Sequence, residues 1–245
     1  MKIAIINFSG NVGKSVVANH ILQPRINNST VISVETINDN GDKGEKMKGK
    51  EFSEIMERVM QEDNIIVDVG ASNVEEFMNR MKGFIGSYDD FDYFIVPTTK
   101  KQKQIEDTIS TIDELSDLGV ESEKIRVLFN MIDRDDSIDK IFSKVFKSSN
   151  TLSSINKELI LHESELYSRI QDSPLTIKEI AEDQTDYKQM IRFTDDKEER
   201  LSLSQKLGTK RLAIGVDREM SRVFDLLFPN YKSEKQDEAE LEYAE

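Results

Sequence analysis

The residues best suited to do chemistry form a short turn, residues 10–15 with the sequence GNVGKS, three residues after the run KIAII. A glycine-containing turn can aim successive backbone N–H groups at a phosphate, and a helix that follows adds its dipole. Lys14 would supply positive charge to the β and γ oxygens, and the Ser15 hydroxyl would bind Mg²⁺. The sequence therefore predicts a phosphate-binding loop. The residues predicted to contact the cofactor here are Ser9, Gly10, Asn11, Val12, Gly13, Lys14, Ser15 and Val16.

The same turn has a plainer interpretation. Phe8 stands where the common pattern G-x-x-x-x-G-K-[ST] has its first glycine. In this alternative Gly10 and Gly13 only turn the chain, and Lys14 is a solvated surface lysine. The context favours phosphate binding, because the turn lies between a strand-like run and a helical pattern that ends near Pro24. The apolar residues of that helical pattern are Val17, Ala18, Ile21 and Leu22.

Two polar residues end strand-like runs further along the chain. Asp68 closes the run IIVD, where a carboxylate could hold Mg²⁺ opposite Ser15; alternatively, it caps the next turn. Asn130 closes RVLFN, and its amide could donate and accept at an adenine edge. We expect both residues near the turn, because ligands of open α/β sheets bind beyond the carboxyl ends of the strands.

The elements that must position these residues are also readable. Apolar, β-branched runs occur at residues 2–6, 30–35, 64–69, 93–98, 126–132 and 159–162. Between them, apolar residues recur at helical spacing. This alternation predicts an α/β fold with a doubly wound, mostly parallel sheet flanked by helices. The helical stripes are Phe52, Ile55, Met56, Val59 and Met60; Val74, Phe77, Met78 and Met81; Ile105, Ile109 and Ile112; and Ile138, Ile141, Phe142, Val145 and Phe146.

The C-terminal part reads as a separate helical region. Pro174 and the polar stretch 182–200 are expected to interrupt the pattern, and apolar spacing then returns over residues 203–227. One or two helices are predicted there, with Gly208 and Gly215 as possible breaks. We predict a nucleotide-binding core at residues 1–165, a C-terminal helical region packed on it at 166–230, and an acidic tail at 231–245.

Composition excludes several kinds of site. The chain has 245 residues, no cysteine and only two histidines, His20 and His162, which argues against disulfides and against a Cys/His metal site. No apolar run approaches the roughly 20 residues needed to span a bilayer, and no signal peptide is recognisable, so the cytoplasm is expected.

The net charge of −14 opposes a general nucleic-acid binder. Any DNA contact would need a local basic patch, and we expect at most weak, nonspecific binding. The candidate basic patch is Lys206, Lys210, Arg211, Arg218 and Arg222. Alternatively, these residues lie on solvated helix faces and bind no DNA.

The blocks INFSGNVGKS, VDVGASN, FDYFIVPT and RVLFN resemble the ParA/MinD superfamily of deviant Walker ATPases and, within it, the StbB-type plasmid stability proteins. The similarity runs from residue 1 to about residue 228. It implies a P-loop NTPase fold, ATP or ADP with Mg²⁺, and an ATP-dependent homodimer. It also implies a DNA-binding adaptor protein as partner and a role in plasmid maintenance or segregation.

The chain departs from that superfamily in two places. Ser9 stands where the signature lysine is expected, and Asn11 replaces its second glycine. Glu35 and Ile37 occupy the positions of two aspartates; Glu35 could still help to order Mg²⁺, while Ile37 could not. Lys14 and Asp39 are therefore the predicted catalytic residues, with Asp39 as the remaining candidate to position water.

These departures leave three functions open. The first is a nucleotide-dependent switch with slow Mg-ATP hydrolysis. The second is a nucleotide-binding scaffold or pseudo-ATPase, which docks the adaptor without turnover. The third, an ATP-dependent carboxylate-activating ligase, would require a substrate pocket that no motif marks. Arg25 and Arg80 are present, but nothing in the sequence assigns either one as an arginine finger.

Overall fold

A single parallel sheet forms the centre of the molecule. The computed structural model describes residues 1–34, 49–148, 155–171 and 173–231. Six strands pair in the order β2-β3-β1-β4-β5-β6, and every pairing is parallel. The strands are β1 (Lys2–Ile5), β2 (Thr30–Val34), β3 (Ile65–Val69), β4 (Tyr93–Thr98), β5 (Ile125–Ile132) and β6 (Ile160–His162).

Strand β1 shows why the sheet is covered on both sides. Ile3 and Ile5 belong to one core cluster, while Ala4 and Ile6 belong to the other, because successive side chains of a strand point to opposite faces. A sheet buried on both faces needs helices on both. The fold class predicted from the sequence is therefore confirmed: a doubly wound, parallel α/β sheet flanked by helices, with a helical C-terminal region.

The helices divide between the two faces. Helices α2, α3, α4 and α6 contribute to the core cluster that contains Ala4, and α1, α7, α8 and α10 contribute to the cluster that contains Ile3. The predicted apolar stripes are buried except at a few positions; Met60, 59% exposed, lies off the buried face of α2. The helices are α1 (Lys14–Val16), which continues as a π-helical segment (Val17–Leu22), α2 (Gly49–Gln61), α3 (Val74–Gly83), α4 (Gln102–Asp117), α5 (Ile138–Ile141), α6 (Ser143–Ser148), α7 (Leu166–Arg169), α8 (Ile177–Glu182), α9 (Tyr187–Phe193) and α10 (Lys197–Leu227).

Helix α10 decides between the one or two helices that the sequence left open for the C-terminal region. It is one continuous helix of 31 residues, and neither Gly208 nor Gly215 breaks it. A glycine inside a helix costs only about 1 kcal/mol relative to alanine, and the buried contacts of Ala213, Met220 and Val223 with the core offset that cost. The domain boundaries themselves remain a prediction.

The stretch expected to interrupt the pattern holds two short helices. Thr176 and Glu179 form a capping box at the start of α8, and the Asp186 side chain accepts a hydrogen bond from the Gln189 N–H at the start of α9. These polar residues satisfy free N–H groups at the helix starts, so a polar composition does not prevent helix formation here.

Arg25 joins the C-terminal helix to the π-helical segment that follows α1. Its guanidinium donates to the Asp217 carboxylate at 2.5 Å and to the carbonyl oxygens of His20 at 2.8 Å and Ile21 at 3.2 Å. Arg80 is paired with Glu76 on its own helix at 2.7 Å. Both arginines that the sequence left unassigned thus have structural partners. Across the part of the chain that the structure describes, no helix is both long enough and apolar enough to cross a membrane.

Candidate functional site

The predicted loop lies at the carboxyl end of β1, between β3 and β4. Gly13 has φ +90° and Asn11 has φ +56°, both in the left-handed region that few side chains adopt. A Cβ atom on Gly13 would lie 2.1 Å from the Asn130 side-chain nitrogen. Only glycine fits there, so the loop conformation depends on Gly13. The Val17 N–H donates to the Gly13 carbonyl at 3.0 Å and starts the helix.

Lys14 is a buried cation at the centre of the loop, with 8% of its surface exposed. Its ammonium group donates to the Ser9 carbonyl at 2.9 Å and to the Asn7 carbonyl at 3.2 Å. Burial lowers the pKa of Lys14, and the negative charge of Asp68 opposes that shift. Since an ammonium group has three N–H donors and two reach these carbonyls, the third is suited to a phosphate oxygen. This burial contradicts the alternative of a solvated surface lysine.

Ser15 and Asp68 meet across neighbouring elements. The Ser15 hydroxyl donates to the Asp68 carboxylate at 2.7 Å. Asp68 is almost fully buried at the end of β3, while Ser15 faces solvent. A hydroxyl and a carboxylate are the hard oxygen donors that Mg²⁺ prefers, so the chemistry of this pair fits the ion predicted from the sequence. Among the described residues, no group of three His, Asp or Glu side chains could form a separate metal cage.

Asn130 contacts the loop from the other side. Its side-chain N–H donates to the Val12 carbonyl at 2.9 Å, and its side-chain oxygen accepts the Met131 N–H at 2.9 Å. The first of these hydrogen bonds holds the loop. The second stabilises the turn at the end of β5, where Met131 has φ +57°. The predicted contact with an adenine edge remains a prediction.

A cavity of about 540 Å³ opens beside Asn130 and Val16, beyond the carboxyl ends of β5 and β6. Its volume is within the range of small-molecule sites, roughly 300–1,000 Å³. Three of its lining residues, Asp133, Glu163 and Glu165, are acidic. Sequence reasoning missed this cavity, because its residues come from separate segments that share no motif. The remaining lining residues are Met131, Ser164, Tyr167 and Ser168.

Helix α4 holds the loop through a polar stripe that the sequence analysis also missed. We define the α4 polar stripe as Gln104, Asp107, Thr108 and Thr111, which share one helix face. Gln104 donates to the Gly10 carbonyl at 3.1 Å. Thr108 accepts a hydrogen bond from the Asn7 amide at 2.9 Å, and Thr111 accepts one from the Phe8 N–H at 3.2 Å. The helical spacing of these polar residues was the available signal in the sequence. The same helix also carries an apolar stripe, which predicts burial against the core and does not indicate a polar contact with the loop.

Ser9 faces protein partners with all of its polar groups. Its N–H donates to the Asn7 side-chain oxygen at 2.7 Å, its hydroxyl donates to Asp107, and its carbonyl accepts from Lys14. The structure therefore places Ser9 as a support of the loop, and its predicted direct contact with a cofactor remains a prediction.

Two further groups of predicted residues are the three that follow β2 and the basic cluster on α10. Glu35, Ile37 and Asp39 lie outside the described residues. Of the basic cluster on α10, Arg222 donates to the carbonyl oxygens of Glu158 at 3.0 Å and Ile160 at 3.1 Å. The weak DNA contact of this cluster remains a prediction.

Comparison with known proteins gives a likeness of fold. No family model matches the chain, and no curated protein matches it. Among solved structures, apo McdA of Cyanothece shares 13% identity over 89% of this chain and 98% of its own, with a TM-score of 0.46. The MinD cell division protein of Aquifex aeolicus shares 12% identity over 89% of this chain and 95% of its own, with a TM-score of 0.45.

A third structure is a Borrelia burgdorferi B31 protein ascribed to plasmid partition and bound to AMPPNP. It shares 14% identity over 84% of this chain and 96% of its own, with a TM-score of 0.42. Similarity at these identities and TM-scores does not assign a function to the chain. Its candidate site is defined by its own residues.

Proposed function

We propose that this chain is a Mg²⁺-dependent ATP-binding protein that acts as a nucleotide switch and hydrolyses ATP slowly. The observation that carries the proposal is the position of the Ser15–Asp68 pair beside a buried Lys14, in a turn that only Gly13 permits. Buried cations are costly unless they serve a partner or a ligand. A polyphosphate is the ligand that this combination of cation, backbone turn and metal-type oxygens suits best.

Each residue then has a role in binding. Backbone N–H groups of the loop and the start of α1 would hold the phosphates, and Lys14 would offset negative charge at the γ-phosphoryl group. Ser15 and Asp68 would hold Mg²⁺, which when bound neutralises charge on the phosphate oxygens. Their contribution to any hydrolysis is positioning and electrostatic stabilisation.

The acidic cavity beside Val16 is the proposed base pocket. Adenine presents an exocyclic amino group as a hydrogen-bond donor, and carboxylates are acceptors. Asp133, Glu163 and Glu165 line the cavity and supply acceptor oxygens there, while Asp133 also pairs with Lys100 and Glu165 with Arg169. This lining supports a base that carries an exocyclic amino group, as adenine and guanine both do. ATP is proposed because the sequence blocks resemble the ParA/MinD superfamily of ATPases.

Slow turnover is proposed because neither Arg25 nor Arg80 is assigned to stabilise the transferring phosphoryl group. Arg25 is held by Asp217 and Arg80 by Glu76. Asp39 stays the proposed water-positioning residue and Glu35 a proposed aid to Mg²⁺. We propose that a partner protein accelerates turnover.

The biological role is proposed from the sequence blocks that resemble the ParA/MinD superfamily. They support a cytoplasmic, homodimeric protein of plasmid stability that works with a DNA-binding adaptor. A scaffold without turnover is the second candidate. It is supported by Ser9, which stands where the resemblance implies the signature lysine and whose hydroxyl donates to Asp107.

Phosphate release distinguishes the two candidates. The purified protein is incubated with Mg-ATP, alone and with adaptor and DNA, beside an Asp68→Ala variant. The switch predicts slow release that depends on Mg²⁺ and Asp68 and rises with the partner. If nucleotide binds but no metal-dependent phosphate appears under any condition, the scaffold is the correct function.

A further inference from the structure

Asp107 is the charged member of the α4 polar stripe, and its carboxylate contacts Ser9. The other three members use neutral amide or hydroxyl groups, whereas Asp107 offers a carboxylate to the Ser9 hydroxyl. Hydrogen bonds to an ionised acceptor are roughly twice as strong as neutral ones. Asp107 is therefore expected to restrain Ser9 more strongly than its helix neighbours restrain the rest of the loop.

Ser9 connects this carboxylate to the loop cation. Its hydroxyl is held by Asp107, and its carbonyl accepts the Lys14 ammonium at 2.9 Å. One residue thus carries the restraint from α4 at its side chain and orients the cation at its backbone. If the side chain were released, the Ser9 carbonyl would lose a fixed position, and so would one of the two described acceptors of Lys14.

Helix α4 is a firm base for this restraint. Ile105, Ile112 and Leu115 bury it in the core, so the backbone that carries Asp107 is held by packing. The Gln104 side chain, which accepts a hydrogen bond from Thr99, ties the same helix turn to the end of β4. Because protein interiors are close-packed, the buried side chains of α4 hold the helix in a defined position.

We propose that Asp107 is a positioning residue for Lys14, acting through Ser9 to fix the ammonium group where it meets the nucleotide phosphates. This proposal rests on the proposed function, because it assigns a residue to the same nucleotide site. In this chain, a carboxylate on α4 and a serine in the loop together set the geometry of the loop lysine.

The test uses the full chain with a fluorescent N-methylanthraniloyl ATP and Mg²⁺ as the probe. Asp107→Ala removes the acceptor, Asp107→Asn keeps an oxygen that accepts the Ser9 hydroxyl, and Asp113→Ala removes an exposed acid from the same helix as matched control. Asp107→Ala is expected to raise Kd about tenfold or more, the loss that a hydrogen bond to a charged group predicts. Asp107→Asn keeps a neutral hydrogen bond of about half the strength, so Kd is expected to rise only about threefold, and Asp113→Ala is expected to leave Kd unchanged.

A second readout separates this proposal from the proposed function. Amide hydrogen exchange without nucleotide is expected to be faster over residues 8–15 in Asp107→Ala and unchanged in the strands, which also shows that the variant is folded. If the wild type binds no nucleotide while loop exchange is still faster in Asp107→Ala, the positioning of the loop is supported and the proposed function is refuted. Unchanged Kd and unchanged loop exchange in Asp107→Ala would overturn the role of Asp107, with nucleotide binding left intact.

Discussion

The hydroxyl of Ser15 lies 2.7 Å from the carboxylate of Asp68, so the first turn of α1 is joined to the end of β3. Fifty-three residues separate the two in sequence. Parallel pairing of β1 with β3 brings them together, since Ile5 and Asp68 are register partners. The pair places two oxygen donors beside the buried Lys14, and these are the groups proposed to hold a metal bound to a triphosphate.

Removal of either oxygen should separate metal binding from nucleotide binding. We expect Ser15→Ala and Asp68→Asn to reduce the gain in ATP affinity that Mg²⁺ gives, by roughly tenfold, because a ligand of a charged ion is lost. The measurement is ATP affinity with Mg²⁺ and with EDTA. Ser110→Ala, an exposed serine on α4, is the control. Equal Mg²⁺ dependence in all three variants would show that the pair does not hold the metal.

The loop should tolerate a methyl group at one glycine and not at the other. Gly13→Ala places Cβ 2.1 Å from the Asn130 side chain at φ +90°, whereas Gly10→Ala meets Ala71 at an ordinary 3.8 Å. We expect Gly13→Ala to lose about 1–3 kcal/mol of unfolding free energy and most nucleotide affinity, while Gly10→Ala retains stability. Urea unfolding and ATP titration check this. Gly13→Ala with wild-type stability would contradict the described loop geometry.

The Arg25–Asp217 ion pair should increase the free energy of unfolding. Its side chain is 8% exposed and that of Asp217 is 18% exposed, so Arg25→Ala leaves a poorly solvated carboxylate without its cation. We expect a loss of about 3 kcal/mol in urea unfolding. The exposed Arg80–Glu76 pair is the comparison, and Arg80→Ala should cost less than about 1 kcal/mol. Similar losses in both variants would mean that burial does not set the contribution of Arg25.

His20 should make stability depend on pH. Its Nδ1 accepts the Ile177 N–H at 3.2 Å, which requires the unprotonated ring, and burial lowers the pKa of His20 below 6.5. Below pH 6.5 the unfolded chain therefore binds more protons than the folded one, and the unfolding free energy falls as pH falls. Above that pH the effect vanishes.

The variant His20→Gln tests this dependence, because its amide oxygen can accept the same N–H and does not titrate. The difference in unfolding free energy between wild type and His20→Gln should change between pH 7 and pH 5, with the wild type losing more. Parallel curves over that range would exclude His20 as the cause.

Much of the fold was predictable, because the strands and apolar stripes are local patterns. The runs at 93–98 and 64–69 match β4 and β3 within a residue, and Val74, Phe77, Met78 and Met81 are all buried in α3. Continuity of α10 was not predictable, since it depends on packing that outweighs the local preference of Gly208 and Gly215.

The candidate site also contains residues that a local sequence motif identifies and residues that only the folded structure brings together. Gly13, Lys14 and Ser15 form a contiguous motif, so the sequence identifies them. Asp107, which contacts Ser9, and Tyr167, which lines the cavity, lie in segments that only folding brings near the loop or the cavity. Asn130 shows the limit of a residue taken alone, because its sequence position gave no sign of the contact that its amide makes with the Val12 carbonyl, while its contact with a base remains a prediction.

The central claim is that the loop around Lys14 binds a nucleotide polyphosphate. Isothermal titration of Mg-ATP into wild type, Lys14→Ala and an exposed control, Lys103→Ala, tests it most directly, with circular dichroism to confirm that all three are folded. The account predicts saturable binding to wild type and Lys103→Ala and no measurable binding to folded Lys14→Ala, because the buried ammonium group is gone. Unchanged ATP affinity in a folded Lys14→Ala protein would contradict it.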